Sequence, residues 1–312
     1  MSRRSKLYSA GLALVIAANI SGTAFAGTRF PGALPETVDT VQWGPGAELV
    51  GNTVKKESTD SKSEETSLSV PGDSQGPVAG DVMSSTTENR SDYYRNLDVS
   101  LLDAEHLGIL GEYFKDSVII GDSVAENFQR YNLSTGVGDV VSDNFTSLAV
   151  AGYSIKKALL PNDGSNIHPM IKGKRYRLPE AISLTGAKHV YSFFGYKDLN
   201  DTEAADNYEK LLQEIKASNP DADITVISTT YMTKAFQNEE YNNDKVRALN
   251  EAMKQKCSDN GWGFIDVQDI MSDGEGNLPE EWSIDKQIHY NYQYYIYWVN
   301  EMKRSALEKL GI

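Results

Sequence analysis

At 312 residues the chain allows one large domain or two small ones, and 40% apolar with 24% charged residues is ordinary globular usage, which excludes wholesale disorder. Thirty Lys and Arg face 44 Asp and Glu, a net charge of −14, so the overall balance repels phosphate backbones and anionic surfaces and makes nucleic acid an unexpected partner. A single cysteine, Cys257, excludes an internal disulfide framework and any multi-cysteine zinc site.

Residues 1–26 read as an export signal. Arg3, Arg4 and Lys6 give a positive start, Leu12 to Ile16 an apolar run, and Ala24-Phe25-Ala26 a small-residue cleavage site. Asn19 and Ser21 break the apolar run well short of the roughly 20 residues a spanning helix needs. Cleavage after Ala26 would leave 27 bases against 44 acids, with no membrane segment in the mature chain. Residues 27–92 carry five of the ten prolines, and 53–91 alone hold fourteen Ser or Thr. Such a composition buries too little surface to offset chain entropy, so a disordered stalk is expected, reaching roughly 45 Å on average.

Residues 93–312 are expected to form the folded domain. Short β-rich runs at 117–120, 146–151, 189–194, 224–228 and 264–267 suit strands buried on both faces of a parallel sheet. Helical stripes lie between them, at Tyr208, Leu211, Leu212 and Ile215 and at Val246, Leu249, Met253 and Cys257, which makes Cys257 a core residue. Asn219-Pro220 and Asn260-Gly261 are suitable helix stops. The alternation implies a three-layer α/β/α sandwich whose ligands bind at the carboxyl ends of the strands.

The first strand runs into Gly121-Asp122-Ser123. A serine at a helix N-terminus meets backbone N–H groups that favour developing negative charge, although Asp and Ser are also the ordinary cap residues of a helix. Later segments add to it. Gly152 follows the second strand, Gly195-Tyr196-Lys197-Asp198 follows the third, and Asp285-Lys286-Gln287-Ile288-His289 precedes the last helix.

In this order the four segments, spread over roughly residues 113–309, resemble the blocks of the SGNH/GDSL hydrolase family of serine esterases. The resemblance implies a flavodoxin-like sandwich with a five-stranded parallel sheet, Ser123 as nucleophile and His289 as general base. It places the oxyanion hole at the backbone N–H of Ser123 and of Gly152 with a side chain from the third block. The chain departs from the family twice. Lys197 stands where the family has asparagine, a flexible point charge in place of a neutral donor. Lys286 stands three residues before His289, where the family has aspartate, and Asp285 lies one step further back. A one-residue bulge would bring Asp285 to the imidazole; otherwise Ser123 and His289 act as a dyad.

His106, His168 and His189 read as packing or surface residues, with His168 also able to line a cleft. Tyr290, Tyr292, Tyr294, Tyr295 and Tyr297 anchor a helix or, less favourably, form a sugar-stacking platform. Asn132-Leu-Ser134 and Asn144-Phe-Thr146 match glycosylation acceptors. No ligand-spaced cluster and no phosphate loop is present, so neither a metal nor a cofactor is expected. The leading expectation is a secreted esterase removing a small acyl group, such as acetate, from a glycan or another polar ester. The alternatives are an acylhydrolase for lipid esters or thioesters, and a silent module of the same fold that binds cell-surface carbohydrate.

Overall fold

The computed structural model describes residues 92–131 and 138–312. The expected export signal, the expected stalk apart from Asp92, and the candidate acceptor at Asn132 lie outside the described residues. Five strands form one parallel sheet: β1 (Ser117–Gly121), β2 (Thr146–Ser147), β5 (His189–Phe193), β6 (Asp223–Ile227) and β7 (Gly263–Ile265). Their spatial order is β2-β1-β5-β6-β7. Every residue of β1 is buried, as are the last four of β5 and of β6, which is why these segments read as unbroken apolar runs.

The helices that cover the sheet come in two sets. On one face α5 (Ala204–Ser218) packs against α3 (Ile155–Leu159), α4 (Leu178–Thr185) and α6 (Asn243–Asn260); on the other, α1 (Ala104–Lys115) packs against α7 (Ile296–Leu310). The result is the expected α/β/α sandwich. The stripes of α5 and α6 are buried as expected, Cys257 included. α5 stops before Asn219-Pro220, and α6 ends on Gly261, whose left-handed φ of 69° lets its N–H cap the last turn. Asp103 caps α1 by accepting from the His106 N–H at 2.9 Å. Among the described residues no helix is long and apolar enough to cross a membrane.

Two strands stop two or more residues short of where the sequence suggests. β2 pairs regularly only at Thr146 and Ser147, not through Ala151. It is an edge strand with one neighbour, and although Leu148 and Val150 still donate to Ile119 and Gly121 of β1 (2.8 and 3.0 Å), a turn closed by Tyr153 N–H on the Val150 carbonyl lifts the chain away. β7 covers Gly263–Ile265 rather than 264–267, because the Val267 N–H is taken by the Ser228 hydroxyl at 2.9 Å instead of a strand carbonyl. A small antiparallel hairpin, β3 (Met170–Ile171) and β4 (Lys174–Arg175), stands apart from the sheet.

The chain leaves β1 for β2 on one side and later returns to β5 on the other. β1 is therefore the point where the strand order reverses, and clefts open beyond the carboxyl ends of strands at such points. Gly121, Asp122 and Ser123 sit there.

Candidate active site

The turn from β1 into α2 (Ser123–Phe128) is set by Gly121. Its φ of +154° is one that L side chains rarely adopt, and a Cβ there would meet the Phe193 carbonyl at 2.2 Å and the Ala125 Cβ at 2.6 Å. The buried Asp122 carboxylate then caps α2, accepting from the Val124 N–H at 2.9 Å, and so puts Ser123 in the first helical turn. Burial pushes the Asp122 carboxyl up to about 6.

His289 reaches Ser123 from the far end of the chain. A short turn folds residues 282–291 back on themselves, with the Ile284 N–H on the His289 carbonyl (2.9 Å) and the Asn291 N–H on the Trp282 carbonyl (2.8 Å). The His289 Nε2 then lies 2.8 Å from the Ser123 Oγ, and its Nδ1 lies 2.5 Å from the Asp285 Oδ2.

The position of Asp285 four residues before the histidine is resolved by one backbone angle. Lys286 adopts a left-handed φ of 59°, so the extra residue coils locally and does not lengthen the path. The Asp285 Oδ1 holds that coil together by accepting from the N–H groups of Gln287 (2.8 Å), Ile288 (3.1 Å) and His289 (3.1 Å) and from the Ser283 hydroxyl (3.0 Å). Thr233 clamps it from outside, its hydroxyl on the Lys286 carbonyl at 2.6 Å and its N–H on the Gln287 carbonyl at 2.9 Å. Burial alone would raise the Asp285 carboxyl, but the hydrogen bonds and the imidazole beside it outweigh that and hold it below the usual carboxylate value. The dyad alternative is not the arrangement found.

The other loops meet beside this relay. Gly152, with φ of +77°, turns the chain into α3, and the Lys157 Nζ holds its carbonyl at 2.8 Å. The buried Asp198 accepts from the Ile155 and Lys156 N–H groups at 3.0 and 3.3 Å, tying the loop after β5 to the start of α3. Gly195 opens that loop, and Tyr196 fastens it with a hydrogen bond to the Thr230 carbonyl at 2.8 Å. Lys197 is half-buried on the same turn; burial first and the Lys157 charge second lower its pKa, against the opposing pull of Asp122 and Asp198.

Three contributors escaped the sequence reading: Ser283, Thr233 and Lys157. Ser283, two residues before Asp285, carries a local signal, since hydroxyl and carboxylate at that spacing close compact turns. Thr233 and Lys157 carry none.

The remaining histidines stay out of this cluster. His189 lies at the opposite end of β5, stacked on Tyr113 with ring centroids 3.8 Å apart and 3.0 Å from Asp223. His168 is buried with its Nδ1 2.9 Å from the Tyr153 hydroxyl, and His106 is 2.7 Å from Asp103 on the surface. The Cys257 thiol is buried and pushed up to about 12. Among the tyrosines, Tyr290 and Tyr295 are fully buried, and the Tyr295 hydroxyl donates to the Val124 carbonyl at 2.5 Å, linking the last helical segment to the serine helix. Tyr294 and Tyr297 stack on Trp282, with centroids 4.3 and 5.5 Å away. Among the described residues no group of three or more His, Cys, Asp or Glu could hold a metal ion.

The family model for GDSL-like lipases and acylhydrolases matches residues 119–295, a span that runs from β1 through the His289 turn. The chain belongs to this family. Three solved structures similar to this GDSL-family chain are a GDSL-like lipase from Bacteroides thetaiotaomicron, a lipase/acylhydrolase from Enterococcus faecalis and a catalytic mutant of an acetylxylan esterase from Geobacillus stearothermophilus. The first is 15% identical, with 72% of this chain and 97% of that one covered and a TM-score of 0.48. The second is 16% identical, with 62% and 96% covered and a TM-score of 0.43. The third is 13% identical, with 63% and 94% covered and a TM-score of 0.42. No curated protein sequence matches the chain.

Proposed function

We propose that this GDSL-family chain is an exported serine esterase that removes a small acyl group, such as acetate, from an extracellular glycan or another polar ester. The observation that carries the chemistry is the continuous relay from the Asp285 carboxylate through both nitrogens of His289 to the Ser123 hydroxyl, at 2.5 and 2.8 Å. In this reading His289 Nε2 takes the Ser123 proton as Oγ bonds to the ester carbonyl carbon. The negative oxygen that results faces the Ser123 and Gly152 N–H groups, with Lys197 supplying positive charge where the family has asparagine. The imidazolium then gives its proton to the departing alcohol oxygen as the C–O bond breaks. A water deprotonated by His289 attacks the acyl-serine, releases the carboxylic acid and restores the hydroxyl. Asp285 keeps Nδ1 protonated throughout, so that Nε2 is the nitrogen that takes up and returns the proton in each half of the reaction.

A fluorophosphonate probe tests this reading. Covalent labelling of the wild type that vanishes in Ser123→Ala is expected. Absent labelling, together with retained carbohydrate binding, would establish the silent-module reading, which Lys197 in place of asparagine favours. A nitrophenyl-ester series of increasing chain length is expected to peak at acetate; a peak at eight carbons or more would assign a lipid ester instead. Export is tested by the N-terminal sequence of the secreted protein, expected to begin at Gly27.

A further inference from the structure

The charge of this chain is unevenly placed. Residues 156–177 hold six of its 30 Lys and Arg but only one of its 44 Asp and Glu, Asp163. This segment comprises most of α3 and the excursion that carries the β3–β4 hairpin and ends just before α4. Among the described residues, two of its six bases meet a carboxylate: Lys156 with Asp201 at 3.1 Å and Arg177 with Glu214 at 2.5 Å. Lys157 and Arg175 are spent on the carbonyls of Gly152 and Gly164, and Lys174 lies over the Tyr176 ring at 5.1 Å. These contacts leave their charge uncancelled. Lys172, Lys174 and Arg175 are exposed, and Asp163 is turned into its own loop by Ser165.

The basic segment abuts the active site. Ile167 Cδ1 is 4.0 Å from where a Cβ on Gly152 would stand, and His168 is hydrogen-bonded to Tyr153, the residue after it. The stretch that leads directly into the hairpin, Ile167 and His168, therefore packs against the Gly152–Tyr153 turn of the proposed oxyanion site. A positive rim beside a cleft in an otherwise acidic protein concentrates anionic substrate there and repels it elsewhere.

We infer that the hairpin rim around Lys172, Lys174 and Arg175 selects an anionic acylated glycan, gripping backbone carboxylates or phosphates while the neighbouring ester enters the Ser123 site. This rests on the esterase reading for its chemistry. The rim's one well-exposed apolar side chain, Met170, is too little for a bilayer anchor, which favours a water-borne polymer over a lipid surface.

The test compares acetylated polygalacturonate, acetylated phosphomannan and neutral acetylxylan as substrates of the wild type, Lys172→Glu/Lys174→Glu, and a control with the same charge change elsewhere, Lys210→Glu/Lys254→Glu. The wild type is expected to prefer an anionic polymer by about tenfold in kcat/KM at low salt, through KM, and to lose that preference by about 0.5 M NaCl. The rim variant should abolish the preference and the control should keep it. Which anionic polymer wins separates carboxylate from phosphate. An active wild type with no anionic preference, or a control that loses it equally, overturns the inference, as does stronger binding to anionic phospholipid vesicles than to the polymers. Affinity electrophoresis in unacetylated polygalacturonate and phosphomannan separates the two proposals. An inactive protein still retarded by one of these gels through Lys172 and Lys174 sinks the esterase reading and leaves the rim standing.

Discussion

Asp285→Asn isolates the role of the acid with little change in shape. The asparagine Oδ1 can keep all four bonds that close the turn, from Gln287, Ile288, His289 and Ser283. What changes is the atom 2.5 Å from the His289 Nδ1, which becomes an amide N–H donor in place of a carboxylate acceptor. Two donors cannot face each other, so the imidazole must move its proton to Nε2, the nitrogen that lies 2.8 Å from Ser123. An Nε2 that already carries a proton cannot accept one. Where the corresponding acid is changed in this way in a serine protease, kcat falls about 10⁴-fold, or roughly 5.4 kcal/mol of transition-state stabilisation. The assay is kcat for 4-nitrophenyl acetate at pH 7.5, with fluorophosphonate labelling rate as a second readout and the thermal midpoint as a fold control. A variant that is folded and within about tenfold of wild type would refute the reasoning, because His289 would then be oriented by something other than Asp285.

Lys197→Ala is expected to lower kcat about 10²–10³-fold with KM nearly unchanged if Lys197 serves the oxyanion, and an unaltered kcat removes it from that role. Lys286→Gly should keep kcat within about threefold, whereas Lys286→Val, β-branched at a φ of 59°, should cost about 1–2 kcal/mol in denaturant melts and reduce kcat by displacing Asp285; equal behaviour of the two variants would mean the coil does not matter. Asp122 titrates near 6 when folded, well above the unfolded value, so the folded chain keeps a proton that the unfolded chain gives up. Its destabilising effect is absent below about pH 3, grows as the pH rises and is complete above about 6; Asp122→Asn should therefore raise stability by about 1–3 kcal/mol at pH 7.5 and leave it unchanged at pH 3. Denaturation midpoints at the two pH values decide, and an equal loss at both would contradict the account.

Much of this arrangement is readable from the residues because it follows from local chemistry. Buried parallel strands announce themselves as apolar runs, and a Gly-Asp-Ser at the end of one places a capped serine where strand order reverses. The boundaries that moved most, at β2 and β7, did so because a hydroxyl or a turn competed with the ladder, which no periodicity records. The spacing at Asp285 was ambiguous for a related reason: a left-handed Lys286 is written in dihedral angles, and only Ser283 hints at it. Lys157 and Thr233 come from distant segments, so nothing short of the fold could pair them with Gly152 or with the Lys286 carbonyl. The basic run 156–177 is plain in the sequence, but its bearing on the site depends on Ile167 lying against Gly152.

The hydrogen bond between Ser123 and His289 spans 166 positions, and the Tyr295 hydroxyl seals the same junction from the last helical segment. A growing, ribosome-bound chain therefore holds the serine long before it holds the imidazole. The pairing of the two side chains waits until the segment that carries His289 has been made and folded onto the serine helix.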